Sequence, residues 1–245
     1  MNHYGRVCCL LLTLALLTTL TTAAPALSAA DHAQSLVTTG QCFFPRLQFQ
    51  LRQDDATYVK QWDIWPIGDQ NLRNAIRATT NINILTDPVV VNLDHPDQLF
   101  QYPFVFMTSE GDFALSDSSR RNLREYLLRG GFLLADDCTY QQREDRFYRA
   151  WIKEMRIIFP DEVVKEIPSS HEIYHCFFQL DGVPWVQGVV HPAMGVFDAR
   201  SGRLMAFCSS GDIHCGWVGF RNLSPEGCQH CIQMGVNILV YCLSH

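Results

Sequence analysis

Two runs, Phe104-Val105-Phe106-Met107 and Phe132-Leu133-Leu134-Ala135, are apolar at every position. Unbroken runs of this length, rather than alternating ones, mark strands covered on both faces. Such strands need helices above and below them, which points to an α/β layered fold. The segment between the runs agrees. Ser116 is placed to cap a helix carrying Leu123, Tyr126 and Leu127 on one face, and Gly130-Gly131 stops it.

The rest of the chain repeats this alternation. Gln41 to Leu51 alternates apolar and polar residues, as a first strand does, and Asp69 to Thr79 has helical spacing. Val89-Val90-Val91 reads as a short strand. Phe147, Tyr148, Trp151, Ile152, Met155 and Ile158 form the clearest amphipathic stripe, which Pro160 ends. Glu162 to Ile167 is a further strand candidate, and His171 to Leu180 is ambiguous between turn and strand. Gly195 to Asp198 and Arg203 to Cys208 flank Ala199-Arg200-Ser201-Gly202 as a β-hairpin. A last helix starts at Ser224-Pro225. The expected architecture is a three-layer α/β sandwich with a mostly parallel sheet and a C-terminal hairpin.

At 47% hydrophobic and 18% charged the chain can bury a core, which excludes disorder. Its 25 acidic side chains outnumber 19 basic ones, and no Lys/Arg block occurs, so no nucleic-acid partner is expected. Residues 1–30 read as a secretory signal peptide: Arg6 in a short polar region, an apolar run from Val7 to Leu20, then small residues with cleavage positions after Ala26 and Ala30. The expectation is an exported single domain over 31–245, periplasmic or secreted, with no membrane span once the leader is removed. Eight cysteines remain after it, an even number that permits disulfides without specifying their pairing.

Tyr102-Pro103 before the first buried run, and Leu123 through Gly130-Gly131-Phe132 to Asp136-Asp137, resemble the domain-of-unknown-function 4159 family. Phe44-Pro45-Arg46-Leu47, His171-Glu172-Ile173-Tyr174-His175-Cys176-Phe177, Gly211 to Trp217, and Gly235-Val236-Asn237-Ile238 extend the resemblance over nearly the whole chain after the leader. The resemblance implies a flavodoxin-type sandwich like that of class I glutamine amidotransferases. It brings candidate positions but no activity. The sequence departs from the family pattern at Thr108-Ser109-Glu110-Gly111, where Thr-Gly-His-Gly is commoner.

Ligands of parallel α/β sheets bind beyond the carboxyl ends of the strands. Three loops are expected there: Thr108 to Asp112, Asp136 to Thr139, and Ser209 to Trp217. They make Thr108, Glu110, Asp136, Asp137, Cys138, Asp212 and His214 a candidate cleft, joined by His171 and His175, with Trp217 as an aromatic wall or a core residue. Consecutive strand residues face opposite sides of a sheet, so Asp136 and Asp137 cannot both serve one ligand. Asp136 is expected to be structural and Asp137 to face the cleft.

Cys138 stands where class I amidotransferases carry their nucleophile, seven residues after Gly131. Its flanking Asp137 and Thr139 suit a strained nucleophile turn poorly, nearby carboxylates disfavour a thiolate, and no downstream His-x-Glu pair supplies a base. It reads as a buried or capping residue. Cys228-x-x-Cys231 lacks the second ligand pair of a zinc site and reads as core, so no metal ligand is assigned. The expected function is binding of a small ligand or protein partner without catalysis. The alternative is a hydrolase or amidase using the acid-rich cleft, with or without a metal. No particular cofactor is implied.

Overall fold

The computed structural model describes residues 40–52, 62–139, 145–160 and 163–245, so the expected leader and Glu162 lie outside the described residues. Seven strands form one sheet in the order β2-β1-β3-β4-β7-β6-β5. They are β1 (Pro45–Gln48), β2 (Val89–Asn92), β3 (Phe104–Ser109), β4 (Phe132–Asp137), β5 (Val163–Glu166), β6 (Met194–Phe197) and β7 (Leu204–Ser209). The first five in that order are mutually parallel, while β6 runs antiparallel to both β7 and β5. The expected hairpin is therefore present, and its second strand enters the middle of the sheet beside β4.

The helices are α1 (Pro66–Thr79), α2 (Pro96–Leu99), α3 (Asp117–Leu128), α4 (Arg146–Ile158), α5 (Ile213–Val218) and α6 (Pro225–Ser244). The apolar runs do what their composition requires. Phe104, Phe106, Phe132 and Leu134 pack on one face with α1, α5 and α6. Val105, Met107, Leu133 and Ala135 pack on the other with α3 and α4. Ser116 and Ser224 cap α3 and α6 by accepting from the Ser119 and Gly227 N–H groups. Among the described residues no helix is long and apolar enough to cross a membrane.

One ambiguity resolves and one expectation changes. His171 to Leu180 takes the turn alternative, with a single 3₁₀ turn, Glu172–Tyr174, and no strand. The stretch from Ser209 to Trp217, expected as a loop, contains α5, a six-residue helix too short to show a periodic stripe.

Candidate functional site

The carboxyl ends of β3, β4 and β7 do converge, but on a closed joint. Alternation along β4 sends Asp136 toward α5 and Asp137 toward α4. Asp136 Oδ1 and Oδ2 accept from the N–H groups of Ile213 (3.2 Å) and His214 (2.9 Å), the first two residues of α5. Asp212, the residue before that helix, accepts from the Cys215 N–H (3.3 Å). Its other oxygen accepts from the Thr139 N–H (3.1 Å) and from Gln187 Nε2 (2.6 Å). Two carboxylates thus satisfy the first three free N–H groups of one short helix, where both hydrogen bonding and the helix dipole favour them. Asp212 is held with φ of 54°, a left-handed backbone that Asp tolerates better than most side chains.

Asp137 is buried as well, against the expectation that it faces an open cleft. It accepts from the Tyr148 N–H at 3.0 Å and so caps α4, leaving Oδ1 without a partner. Burial raises both acids; the charge of Asp212 adds to this at Asp136, and the N–H groups of α5 oppose it. Both Ala variants are therefore expected to destabilise, each by about 1–3 kcal/mol as donors are left unmet, with Asp136→Ala the worse because it frees two. Urea denaturation checks this. A neutral Asp137→Ala would restore the outward-facing reading.

Glu110 closes the loop after β3. Burial, and then the charge of Asp212, push its carboxyl up to about 7. A carboxyl raised in the folded state releases its proton earlier in the unfolded chain. Folding stability therefore falls as pH rises from about 4.5 to 7 and is then level. In chelator-treated protein, Glu110→Gln should show no gain near pH 4.5 and a gain approaching roughly 3 kcal/mol above pH 7. Melting curves across that range that stay parallel would rule out a charge effect.

Cys138, after β4, is fully buried with its Sγ 3.4 Å from Cys215 Sγ. The neighbouring thiol, burial and the charge of Asp212 all push the Cys138 thiol up, so it is held neutral. The hydrogen bond to Cys138 pulls Cys215 down, but burial and Asp212 outweigh it and leave that thiol at about 12. Neutral thiols make poor nucleophiles. Thr108 is also buried, with Oγ1 unpartnered. Trp217 is a core residue: its Nε1 donates to Cys231 O (2.8 Å), and its ring meets Phe44 and Phe106.

His214 belongs to a network the sequence did not single out. Arg46, on β1, donates from Nε and Nη2 to both oxygens of Asp69 on α1, at 3.0 and 2.5 Å. His214 Nε2 lies 3.2 Å from Arg46 Nη2 and 3.3 Å from Asp69 Oδ1. Burial lowers His214, with Asp69 acting against it. All three side chains are buried. Gly68 makes room for the ring, because a Cβ there would lie 2.8 Å from His214 Nε2. His171 and His175 do not join the group. His171 Nδ1 accepts from the Ile173 N–H, and its ring packs on Tyr241. Tyr241 in turn contacts Phe132, at the amino end of β4.

Among the described residues, open space lies at another part of the carboxyl edge. The chain runs from β1 outward to β2 and then back across β1 to β3, so the direction of winding reverses between β1 and β3. That reversal parts the loops and leaves a crevice. A cleft of about 320 Å³ sits there, lined by the ends of β1 and β2 and by the turn into α3. Phe49, Leu93 and Leu115 are its buried apolar members, and the half-buried Trp62 also lines it. Gln48, Gln50, Asn92, Asp94, Ser116 and Ser119 give it polar groups. Asp94 Oδ1 already accepts from Ser119 Oγ (2.8 Å), and Asn92 Nδ2 donates to Gln48 Oε1 (3.3 Å). Sequence reasoning named the acid-rich segment of this carboxyl edge, where charge density stands out, and did not name the lining of this cleft.

The family model described as "Domain of unknown function (DUF4159)" matches residues 49–243, a span that holds both the acid-thiol joint and most of the cleft's lining. No curated protein matches the chain.

Proposed function

The chain belongs to the family of the domain of unknown function DUF4159, and from that premise we propose that it is an exported, non-catalytic module that binds a small ligand at the β1/β3 reversal. The observation that carries this reading is the separation of the two parts of the carboxyl edge. The acids and the thiol that could do chemistry are buried as helix caps or held neutral, while the accessible cleft carries amides, hydroxyls and an aromatic ring. Among the described residues its one charged member, Asp94, is already engaged by Ser119. Such a lining suits an uncharged, hydroxyl-rich molecule that lays an apolar ring face on Trp62 and exchanges hydrogen bonds with the amides.

Saturation-transfer NMR against a panel of neutral monosaccharides, disaccharides and nucleosides tests this. Hits are expected with wild type and not with Ala114→Trp, which fills the cleft from an exposed position that lines it. An empty panel, or hits that survive Ala114→Trp, would remove the reading. Turnover of simple esters or amides lost in Asp137→Asn would replace it with the hydrolase alternative.

Export rests on the tripartite leader. Native protein should begin at Leu27 or at Asp31, following cleavage after Ala26 or Ala30. Amino-terminal sequencing that returned Met1 or Asn2 would refute cleavage.

A further inference from the structure

The joint brings two thiols, which helix capping does not account for, up to one of its capping carboxylates. Cys138, Asp212 and Cys215 each bring a ligand atom into one group whose members lie within 4.8 Å of one another, and all three are buried. They come from three positions that only the fold unites: the end of β4, the residue before α5 and the first turn of α5. Glu110, on the loop after β3, lies outside that tight group but within electrostatic reach of Asp212 and Cys138. Its residue is only 8% exposed and its Oε1 has no hydrogen-bond partner. A buried oxygen left unmet is costly, so the interior beside the joint is short of a counter-charge or donor.

We propose that Cys138, Cys215 and Asp212 bind a structural zinc-class divalent cation. This goes beyond the ligand-binding reading and does not depend on it. The donor chemistry selects the ion: two sulfurs with a carboxylate suit a borderline-soft tetrahedral metal, whereas calcium and magnesium take oxygen sets. The spacing agrees. Two thiolates at about 2.3 Å from a tetrahedral ion stand roughly 3.8 Å apart. The 3.4 Å between the sulfurs is close to that and well short of bonding contact. Binding replaces the two thiol protons, which leave to solvent, by one divalent ion, so the net charge of the joint is unchanged. The thiolates then face a cation in place of carboxylates alone. The ion would tie the end of β4 to the start of α5, the same two segments that Asp136 joins by hydrogen bonds.

The test uses the untagged full-length protein, purified reduced and without chelator. Plasma mass spectrometry should find about one zinc per chain, falling at least tenfold in Cys138→Ser and in Cys215→Ser but not in Cys228→Ser. Because either serine variant can lose its fold, wild type is also stripped and reloaded with Co(II). A near-ultraviolet thiolate-to-cobalt absorption band with intense visible tetrahedral bands is expected. Absence of both stoichiometric zinc and that band overturns the proposal. So does zinc that survives Cys138→Ser, or native protein in which intact-mass and peptide analysis find Cys138 and Cys215 joined as a disulfide.

Discussion

Arg46→Met is expected to destabilise the protein by about 3–5 kcal/mol, the cost of removing one partner from a buried ion pair. The guanidinium grips Asp69 through two nitrogens and donates from Nη1 to the carbonyls of Trp62 and Ile64 at 3.2 and 3.1 Å. It also lies 5.0 Å over the Phe106 ring. Methionine keeps much of the stem's packing, so the loss isolates the charge and its hydrogen bonds. The pH dependence identifies the cause. Burial raises the Asp69 carboxyl, but the hydrogen bond with His214 and the Arg46 charge outweigh it and hold it below its ordinary value. A depressed carboxyl contributes stability that is complete above its unfolded pKa, near 4, and is lost as pH falls through the folded value. The difference between wild type and Arg46→Met should therefore be full at pH 7 and shrink toward about pH 3. Arg46→Met combined with Asp69→Leu should recover part of the loss, because the stranded carboxylate goes too. Urea denaturation that gave the same deficit at both pH values would assign the effect to packing.

That network shows where the sequence stopped being legible. The buried strands, α3, α4 and α6 announce themselves in local pattern: unbroken apolar runs, a serine at each start of α3 and α6, an apolar stripe. The hairpin was legible for the same reason. Arg46, by contrast, sits in an alternating strand where a polar residue normally faces water. Distant contacts, among them Asp69, 23 residues on, and His214, 168 residues on, make it a buried residue. The six residues of α5 carry too little periodicity to declare a helix, and two of their caps come from Asp136, 77 and 78 residues earlier. The candidate acids were found because parallel sheets put their ligands at strand ends. Their burial was not foreseen, since a carboxylate at a strand end and one under a helix look alike in sequence. The thiol pair of Cys138 and Cys215 was hidden likewise, while the more conspicuous Cys228-x-x-Cys231 drew the attention.

Trp151→Ala is the other substitution with a large expected effect, about 3–5 kcal/mol of lost stability. Helix α4 buries Phe147, Tyr148, Trp151, Met155 and Ile158, and Trp151 lies at the middle of that stripe, fully enclosed in the cluster shared with β3, β4 and β7. Polar anchors supplement that stripe: Asp137 caps the helix at Tyr148, Tyr148 Oη donates to Pro192 O (2.8 Å), Arg124 Nη1 donates to Ile158 O (2.8 Å), and Glu154 pairs with Arg120 of α3 at 2.8 Å. Removing the indole leaves a void that close-packed neighbours collapse into only in part, which adds to the lost transfer energy. Trp151→Phe should cost much less, for two separable reasons. Phenylalanine keeps most of the volume, and the indole Nε1 is buried with no partner, so deleting it also removes an unmet donor. Chemical denaturation of the two variants distinguishes the contributions. A phenylalanine variant as unstable as the alanine one would mean that Nε1 has a partner, such as a bound water. A tolerated alanine would mean that α4 does not seal this face of the sheet.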